Sequence, residues 1–179
     1  IEFCLCWANE NWTRRWDGDE HEVLIAQKHT PEDHAAVFDD LARYMDDRRY
    51  MRIDGKPVLV VYRPGIIPDA REMTALWRRA AEVRGWPGIY LVASTAFRFA
   101  EPEQLGFDAL VEFPPHGLLA DRVEGKRQWL NSQHTGAVFD FGEVAAAEAD
   151  RATSARADVV FPGVMPGWDN EARRPGGGT

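Results

Sequence analysis

Mostly apolar runs recur along the chain and are separated by segments in which apolar residues have helical spacing. Four of these runs, at residues 1–8, 57–62, 89–93 and 109–113, lack the polar and apolar alternation that marks a half-exposed strand. Such runs are typical of strands that are buried on both faces of a parallel sheet. A last short strand is predicted within residues 159–165, where Val and Phe cluster again.

Helix signals follow the first predicted strands. Thr30 is a suitable N-cap, and Pro31 suits the first helical position because its fixed φ angle is already helical. Apolar residues recur at helical spacing over residues 69–84, and Gly85 stands where a C-terminal cap is expected. Another helix is predicted over residues 141–151, which are rich in Ala and Glu. The chain therefore alternates between strand and helix.

Repeated units of strand and helix imply a parallel sheet with right-handed crossovers, either closed as a barrel or open as a doubly wound layer. A complete eight-unit barrel needs about 250 residues, so this chain would supply roughly half to two thirds of one. We predict a single domain over residues 1–179, an α/β fold with a partial (β/α)8 TIM-type barrel that is truncated at both ends. One domain is also the natural expectation for this length.

The composition argues against several classes of function. The formal net charge is -8, whereas nucleic-acid-binding proteins concentrate Lys and Arg on one face, so we expect no nucleic-acid partner. No stretch approaches the roughly 18–20 unbroken apolar residues of a membrane span, so none is predicted. The five His residues lack the paired spacing of a zinc helix, and no glycine-rich phosphate loop follows a strand. We therefore expect neither a metal ion nor a cofactor.

The two cysteines bear on the cellular compartment. Cys4 and Cys6 lie two positions apart in the first predicted strand, so their side chains point to one face and a disulfide between them would be strained. We predict two buried thiols, which favours a reducing compartment.

Polar residues stand where the predicted strands end. In barrel enzymes the working residues occupy these carboxyl-terminal strand ends and the loops that follow them. A loop with only a structural role does not require such a mixture of carboxylates, amides and aromatics, although solvated loop polarity remains the alternative for any one of them. The strand-end residues are Asn9, Glu10, Tyr62, Arg63, Ser94, Thr95, Glu112, His116, Trp168, Asp169 and Asn170.

Glu10 and Glu112 are the candidate catalytic residues. Glycosidic chemistry generally requires two carboxyl groups that flank the scissile bond, and both glutamates end predicted strands. Helix capping or salt bridging is an equally open interpretation of either one. Arg63 could hold a carboxylate or sugar hydroxyls through its planar fork of donors, with a surface ion pair as the alternative. Asp17 and Asp169 are weaker candidates.

Seven Trp residues are a high number for a chain of this size. Aromatic faces are common platforms for the C–H faces of sugar rings. Trp7 in a predicted strand and Trp77 on a helix face are expected in the core. Trp12, Trp16 and Trp168 lie in predicted loops, so we predict that they stack against sugars.

Three sequence blocks are similar to those of one protein family. They read FCLCWANENWTRRWDG at residues 3–18, RYMRIDGKPV at 49–58 continuing to YRP at 62–64, and MPGWDN at 165–170 followed by two arginines. In this order they resemble the WbsX-like glycosyltransferase family, also described as glycoside hydrolase family 99-like. The resemblance covers nearly the whole chain, and its first block is the most specific.

The resemblance implies a (β/α)-barrel and a carbohydrate-active enzyme, acting by glycosyl transfer or hydrolysis, in bacterial surface polysaccharide or lipopolysaccharide O-antigen metabolism. The fold is shared with endo-acting mannosidases, which are retaining hydrolases thought to use the sugar's own 2-hydroxyl without a metal. Their two catalytic glutamates lie in an Asn-Glu-Trp-x-Glu motif, which we expect beyond Thr179. The segment at residues 9–12 only looks similar to that motif, so Glu10 and Glu112 are assigned auxiliary roles and the chain by itself is expected to be inactive.

The expected partner is an oligosaccharide or polysaccharide, and the expected location is the bacterial cytoplasm. A non-catalytic glycan-binding or scaffold domain of a polysaccharide assembly protein is the alternative, since it would need aromatic loops but no positioned acid. By the resemblance, the substrate cleft would be lined by Glu10, Tyr62, Arg63, Glu112 and Trp168. The predicted substrate-binding residues are Asn9, Trp12, Trp16, Tyr62, Arg63, His116, Trp168, Asp169 and Asn170.

Overall fold

The computed structural model describes residues 1–14, 19–97, 102–117, 136–154 and 160–169. Its helices and strands alternate along most of this length, as the apolar pattern predicts. In chain order they are β1 (Leu5–Trp7), β2 (Trp12–Arg14), β3 (Asp19–Ile25), α1 (Pro31–Met45), β4 (Arg52–Ile53), β5 (Lys56–Val61), α2 (Ala70–Val83), β6 (Tyr90–Ser94), α3 (Pro102–Leu105), β7 (Ala109–Val111), α4 (Phe141–Ser154) and β8 (Val160–Phe161).

The main sheet is parallel and has the order β1-β5-β6-β7-β8, with β4 added antiparallel to β5. Trp7 pairs with Val61 at the end of β1 and β5, and Ser94 pairs with Val111 at the end of β6 and β7. Val111 in turn pairs with Phe161 of β8. The carboxyl ends of these strands therefore meet at one edge of the sheet, here called the strand-end rim.

The predicted class of mixed α/β fold with a parallel sheet is confirmed. Within the described residues the sheet is open, with β1 at one side and β8 at the other, so the closed barrel stays a prediction. Strands β1 and β7 are shorter than the apolar runs that predict them, whereas β5 and β6 are as long as theirs.

The start of α1 shows why the sequence folds in this way locally. Oγ1 of Thr30 accepts a hydrogen bond from the backbone N–H of Asp33 at 3.2 Å, and the Asp33 carboxylate accepts from the backbone N–H of Thr30 at 3.3 Å. This reciprocal capping box satisfies donors that the first helical turn cannot pair internally. Pro31 occupies the first helical position. The predicted helix start is confirmed.

The core lies between the sheet and helices α1 and α2. Trp77 of α2 is fully buried, and its indole N–H donates to the backbone carbonyl of His34 in α1 at 2.8 Å. Its ring packs against Phe38 of α1 and Trp7 of β1, with centroid distances of 6.4 and 5.5 Å. Because Trp77 of α2 contacts both α1 and β1, it fixes the positions of these three elements relative to one another.

Two predictions are corrected at the start of the chain. Trp12 lies in β2 and not in a loop, because β2 and β3 form an antiparallel hairpin with irregular register. The irregularity breaks the alternation by which such a hairpin is recognised in a sequence. Cys6 is exposed and Cys4 is half-buried, so the prediction of two buried thiols is wrong for Cys6. Cys6 points away from the helix-covered face that Leu5 and Trp7 occupy.

Candidate functional site

Asn9 joins the ends of β1 and β5 at the strand-end rim. Its side chain is fully buried, its Nδ2 donates to the backbone carbonyl of Arg63, and its Oδ1 accepts from the backbone N–H of Arg63, both at 2.8 Å. The two bonds imitate a further step of the sheet ladder after Tyr62, whose N–H donates to the carbonyl of Trp7. The Asn9 amide therefore fixes the backbone of Arg63 next to the loop that follows β1.

Glu10 and Arg63 form an ion pair at this rim. Nη1 of Arg63 lies 2.5 Å from Oε1 of Glu10, and the two side chains are 28% and 21% exposed. The guanidinium carbon lies 4.1 Å from the ring centroid of Phe97, within the range of a cation–π contact. Nε of Arg63 is buried and has no hydrogen-bond partner among the described residues. The guanidinium is thus held in one orientation by a carboxylate and an aromatic face.

Aromatic rings continue from this ion pair along the rim. Tyr62 packs edge-on against Phe97 and Phe113, with centroid distances of 5.6 and 5.0 Å, and Phe97 lies 5.0 Å from the ring of His116. The Tyr62 hydroxyl lies 3.5 Å from Nε2 of His116, at the long limit of a hydrogen bond. Tyr62, Phe97, Phe113 and His116 are here called the aromatic cluster. This cluster places apolar ring surface, the Tyr62 hydroxyl and the His116 imidazole beside the ion pair of Glu10 and Arg63.

Glu112 directly follows β7 and connects it to the chain after β8. Its Oε2 accepts a hydrogen bond from the backbone N–H of Gly163 at 3.0 Å, and its own N–H donates to the carbonyl of Phe161 at 3.0 Å. A Cβ atom at Gly163 would lie 2.7 Å from the carbonyl oxygen of Glu112, so this close approach requires glycine. The Glu112 carboxylate therefore helps to position the last described segment of the rim.

Sequence reasoning missed two side chains that shape the rim. Phe97 follows a turn in which Oγ of Ser94 accepts a hydrogen bond from the backbone N–H of Ala96. The sequence feature that could have indicated Phe97 is an aromatic residue just after a predicted strand. Gln27 donates from Nε2 to the backbone carbonyls of Ala8 and Glu10 at 2.8 and 2.7 Å. A single Gln between a hairpin and a helix belongs to no sequence pattern from which this role could be predicted.

The structure brings several of the predicted site residues together. Glu10, Tyr62, Arg63 and His116 lie in one set of contacts through Phe97. The others are positioned separately: Glu112 directly follows β7, Trp12 is 60% exposed in β2, and Trp168 is 57% exposed after β8 beside an exposed Asp169. Trp16, Asp17 and Asn170 lie outside the described residues.

Within the part of the chain that the structure describes, no group of three or more His, Cys, Asp or Glu side chains is arranged to hold a metal ion. In the same described ranges, no helix has both the length and the apolar character needed to cross a bilayer.

Two histidines pack behind the rim against Trp7. The ring centroids of Trp7 and His29 are 5.9 Å apart, and those of His29 and His34 are 5.7 Å apart. Burial lowers the pKa of His29, opposed by a hydrogen bond to the Asn9 backbone and by Asp33. Burial also lowers the pKa of His34, and the neighbouring His29 lowers it further. Both rings are therefore neutral near pH 7.

The free energy of unfolding is expected to fall as the pH is lowered below about 6.5. Because the folded-state pKa of His29 and of His34 lies below the unfolded value of about 6.5, the unfolded chain takes up protons first. The stabilising contribution is complete above about pH 6.5 and is lost as the pH falls toward the folded-state pKa values. Urea titrations at different pH values, followed by circular dichroism, would measure this fall in the free energy of unfolding. A double variant, His29→Gln with His34→Gln, should lose this dependence, and stability that rises on acidification in the natural protein would contradict the assignment.

The structure combines a parallel sheet, helices on one of its faces, and charged and aromatic side chains at the carboxyl ends of its strands. The α/β proteins that bind ligands at this edge of the sheet have the same arrangement. The sequence profile of the family described as Glycosyltransferase WbsX matches residues 1–179, so the chain belongs to this family. The resemblance of the three sequence blocks to WbsX-like proteins is thereby confirmed.

The chain is also similar to individual proteins. A solved structure described as "Glycoside hydrolase-like protein" is 12% identical, with a TM-score of 0.47, and the match covers 82% of this chain and 42% of that one. Two proteins described as "Uncharacterized protein WxcX", from Xanthomonas campestris pv. campestris strains B100 and ATCC 33913, are each 42% identical over 178 residues. That match covers 99% of this chain and 25% of each relative, so the chain spans about a quarter of the length of these curated relatives.

Proposed function

We propose that the strand-end rim binds a glycan, and that the chain forms part of a carbohydrate-active enzyme that transfers or hydrolyses glycosyl units. The observation that carries the proposal is the Arg63 guanidinium, fixed between the Glu10 carboxylate and the Phe97 ring beside the aromatic cluster. Membership of the WbsX glycosyltransferase family supports the same class of substrate.

The chemistry of the rim matches that of a sugar ring. A pyranose has an apolar C–H face and a border of hydroxyls, so it combines well with an aromatic face that is flanked by charged hydrogen-bonding groups. The Tyr62 and Phe113 rings provide apolar surface, and their neighbours Arg63 and Glu10 provide donors and acceptors. Exposed Trp12 and Trp168 would add stacking surface for further sugar units.

The predicted site residues take distinct roles in this proposal. Glu10 and Glu112 are auxiliary carboxylates. Asn9 was predicted to bind substrate, but we propose a positioning role instead, because its buried amide is engaged by the Arg63 backbone. Tyr62, Arg63 and His116 contact the sugar directly. Trp16, Asp169 and Asn170 are retained as further substrate contacts.

We further propose that the main glutamate pair lies beyond Thr179, so that the chain alone binds glycan without turning it over. The chain matches only 25% of the length of a WxcX relative, which is compatible with a catalytic site that is completed elsewhere in a longer protein. We propose bacterial surface polysaccharide or lipopolysaccharide O-antigen metabolism in the cytoplasm as the setting. The (β/α)8 barrel is part of the same proposal.

A non-catalytic glycan-binding or scaffold domain is the second candidate. The observation in its favour is that both glutamates have structural contacts, Glu10 with Arg63 and Glu112 with the Gly163 backbone. A binding domain would keep the aromatic cluster and the guanidinium and would need neither carboxylate as an acid or base.

Replacing Arg63 by Lys tests the proposed binding site. We expect at least a 10-fold weaker affinity for oligosaccharides, because Lys keeps the charge but loses the planar fork and the stacking on Phe97. Titration calorimetry against a panel of bacterial surface oligosaccharides would measure it. The matched control is Arg84→Lys, since Arg84 ends α2 and pairs with Asp39 and Asp46 away from the rim. Equal affinity of the Arg63→Lys variant and the natural chain would overturn the proposal.

A further inference from the structure

The backbone that supplies Glu10 to the strand-end rim leaves the main sheet just before this residue. The ladder between β1 and β5 ends where the Tyr62 N–H donates to the carbonyl of Trp7. The side chain of Asn9 is then bonded to the backbone of Arg63. The position of the Glu10 backbone therefore depends on contacts outside the ladder.

Gln27 makes three hydrogen bonds to this part of the chain. Its Nε2 donates to the backbone carbonyls of Ala8 and Glu10 at 2.8 and 2.7 Å, so one amide binds the residues before and after Asn9. Its backbone N–H donates to Oδ1 of Asn11 at 2.8 Å. One residue thus holds the whole segment of chain that carries the Glu10 carboxylate.

These bonds also join the β2–β3 hairpin to the rim. The hairpin is a separate two-stranded sheet, and its register pairs Trp12 with Ile25 at its open end. Asn11 precedes Trp12 and Gln27 follows Ile25 by two residues, so the bond between Asn11 and Gln27 lies just beyond the last pair of the hairpin. Because the Gln27 side chain also binds the carbonyl of Glu10, the hairpin is coupled to the Glu10 backbone through this residue.

The ion pair is sensitive to the position of the Glu10 backbone because its partner Arg63 is fixed. The guanidinium carbon lies 4.1 Å from the ring centroid of Phe97, and Nε of Arg63 is buried. Nη1 of Arg63 lies 2.5 Å from Oε1 of Glu10. Since a hydrogen bond is lost beyond about 3.5 Å, a displacement of Glu10 by about 1 Å would break this one.

We propose that Gln27 is a positioning residue for the ion pair of Glu10 and Arg63, and that it couples the β2–β3 hairpin to this pair. By binding the carbonyls of Ala8 and Glu10, the Gln27 amide keeps the Glu10 carboxylate in reach of the guanidinium. The consequence for glycan binding rests on the proposed function, whereas the positioning of the ion pair does not.

Nuclear magnetic resonance of the Arg63 Nε–H tests the positioning without any sugar. The signal is assigned by its loss in Arg63→Lys, and because Nε is buried we expect slow exchange with water in the natural chain. Gln27→Met keeps the length of the side chain and removes both side-chain bonds, so the exchange should become about 5-fold faster or more. Lys28→Met, at the exposed neighbouring position, is the matched control and should leave the rate within about 2-fold.

A second pair of variants tests the same coupling from the hairpin. Asn11→Ala removes the acceptor of the Gln27 N–H and should also speed the exchange of the Arg63 Nε–H, whereas Asn11→Asp keeps an acceptor oxygen and should retain the natural rate. The amide of Val92, in the buried centre of the sheet, should exchange at its natural rate in every variant.

An unchanged rate at Arg63 in Gln27→Met would overturn the proposal, and if that variant does not fold, an unchanged rate in Asn11→Ala would do so. An equal acceleration at Val92 would also overturn it, because Gln27 would then support the fold as a whole and not the ion pair.

Titration calorimetry with maltotriose, cellotriose and laminaritriose connects the positioning to the proposed function. We expect Gln27→Met to weaken the binding of a trisaccharide by about 5-fold, and Lys28→Met to leave it unchanged. Faster exchange at Arg63 with unchanged affinity would overturn the role of Gln27 in glycan binding. Absence of binding by the natural chain would count against the glycan site itself, and the Arg63 signal would still decide the positioning role.

Discussion

Replacing Glu10 by Gln is expected to lower the turnover of a glycan substrate by the full-length protein by about 100-fold. The substitution keeps the size of the side chain and removes the charge that holds Arg63 at 2.5 Å. The guanidinium then loses both its orientation and the carboxylate beside it, which are the features proposed to act on the sugar. Product formation measured by chromatography, over a range of substrate concentrations, would give kcat and KM separately.

The control for Glu10→Gln is Asp39→Asn, because Asp39 is an exposed carboxylate that approaches Arg84 away from the rim. Turnover should be unchanged in this variant. Glu112→Gln is expected to change turnover in the same direction as Glu10→Gln, since the Gln oxygen still accepts from Gly163 and only the charge is lost. Full turnover by Glu10→Gln with weakened oligosaccharide binding would favour the non-catalytic binding domain.

Replacing Trp77 by Ala is expected to lower the free energy of unfolding by about 3–5 kcal/mol. The fully buried indole contacts Trp7 and Phe38, and its N–H is bonded to the carbonyl of His34. Truncation leaves a large cavity and an unpaired buried acceptor at the junction of two helices and a strand. Chemical denaturation followed by circular dichroism would measure the loss.

Trp168→Ala is the matched control, because that ring is largely exposed and its removal should change stability by less than about 0.5 kcal/mol. Trp77→Phe should fall between the two, since it keeps most of the apolar volume but leaves the His34 carbonyl without its donor. A loss below about 1 kcal/mol for Trp77→Ala would show that this residue does not join the helices to the sheet.

The sequence was most informative where its signal is local. The apolar run at residues 57–62 predicts β5, observed at Lys56–Val61, because continuous apolar character suits a strand covered on both faces. Thr30 and Pro31 predict the start of α1 because capping depends on neighbouring residues alone. By contrast, the β2–β3 hairpin was missed, since its register shifts leave no regular alternation to recognise. Exposure of Cys6 depends on the other strands of the sheet and is not visible in its neighbours.

The candidate site was predictable in part for the same reason. Strand ends can be located from apolar runs, so Glu10, Tyr62, Arg63 and Glu112 were found. Their pairing could not be found, because the contact between residues 10 and 63 depends on β1 lying beside β5. Phe97 was missed since an aromatic residue after a strand is more often a core residue than a platform for a guanidinium.

The central claim is that a glycan binds at the strand-end rim beside Arg63. A crystal structure of the protein with a bound oligosaccharide is the most direct test. The account predicts a sugar hydroxyl within hydrogen-bond distance of the Arg63 guanidinium, with a sugar ring against Tyr62 or Phe113. An oligosaccharide bound at the opposite edge of the sheet, near the Arg78 and Asp108 pair, would contradict it.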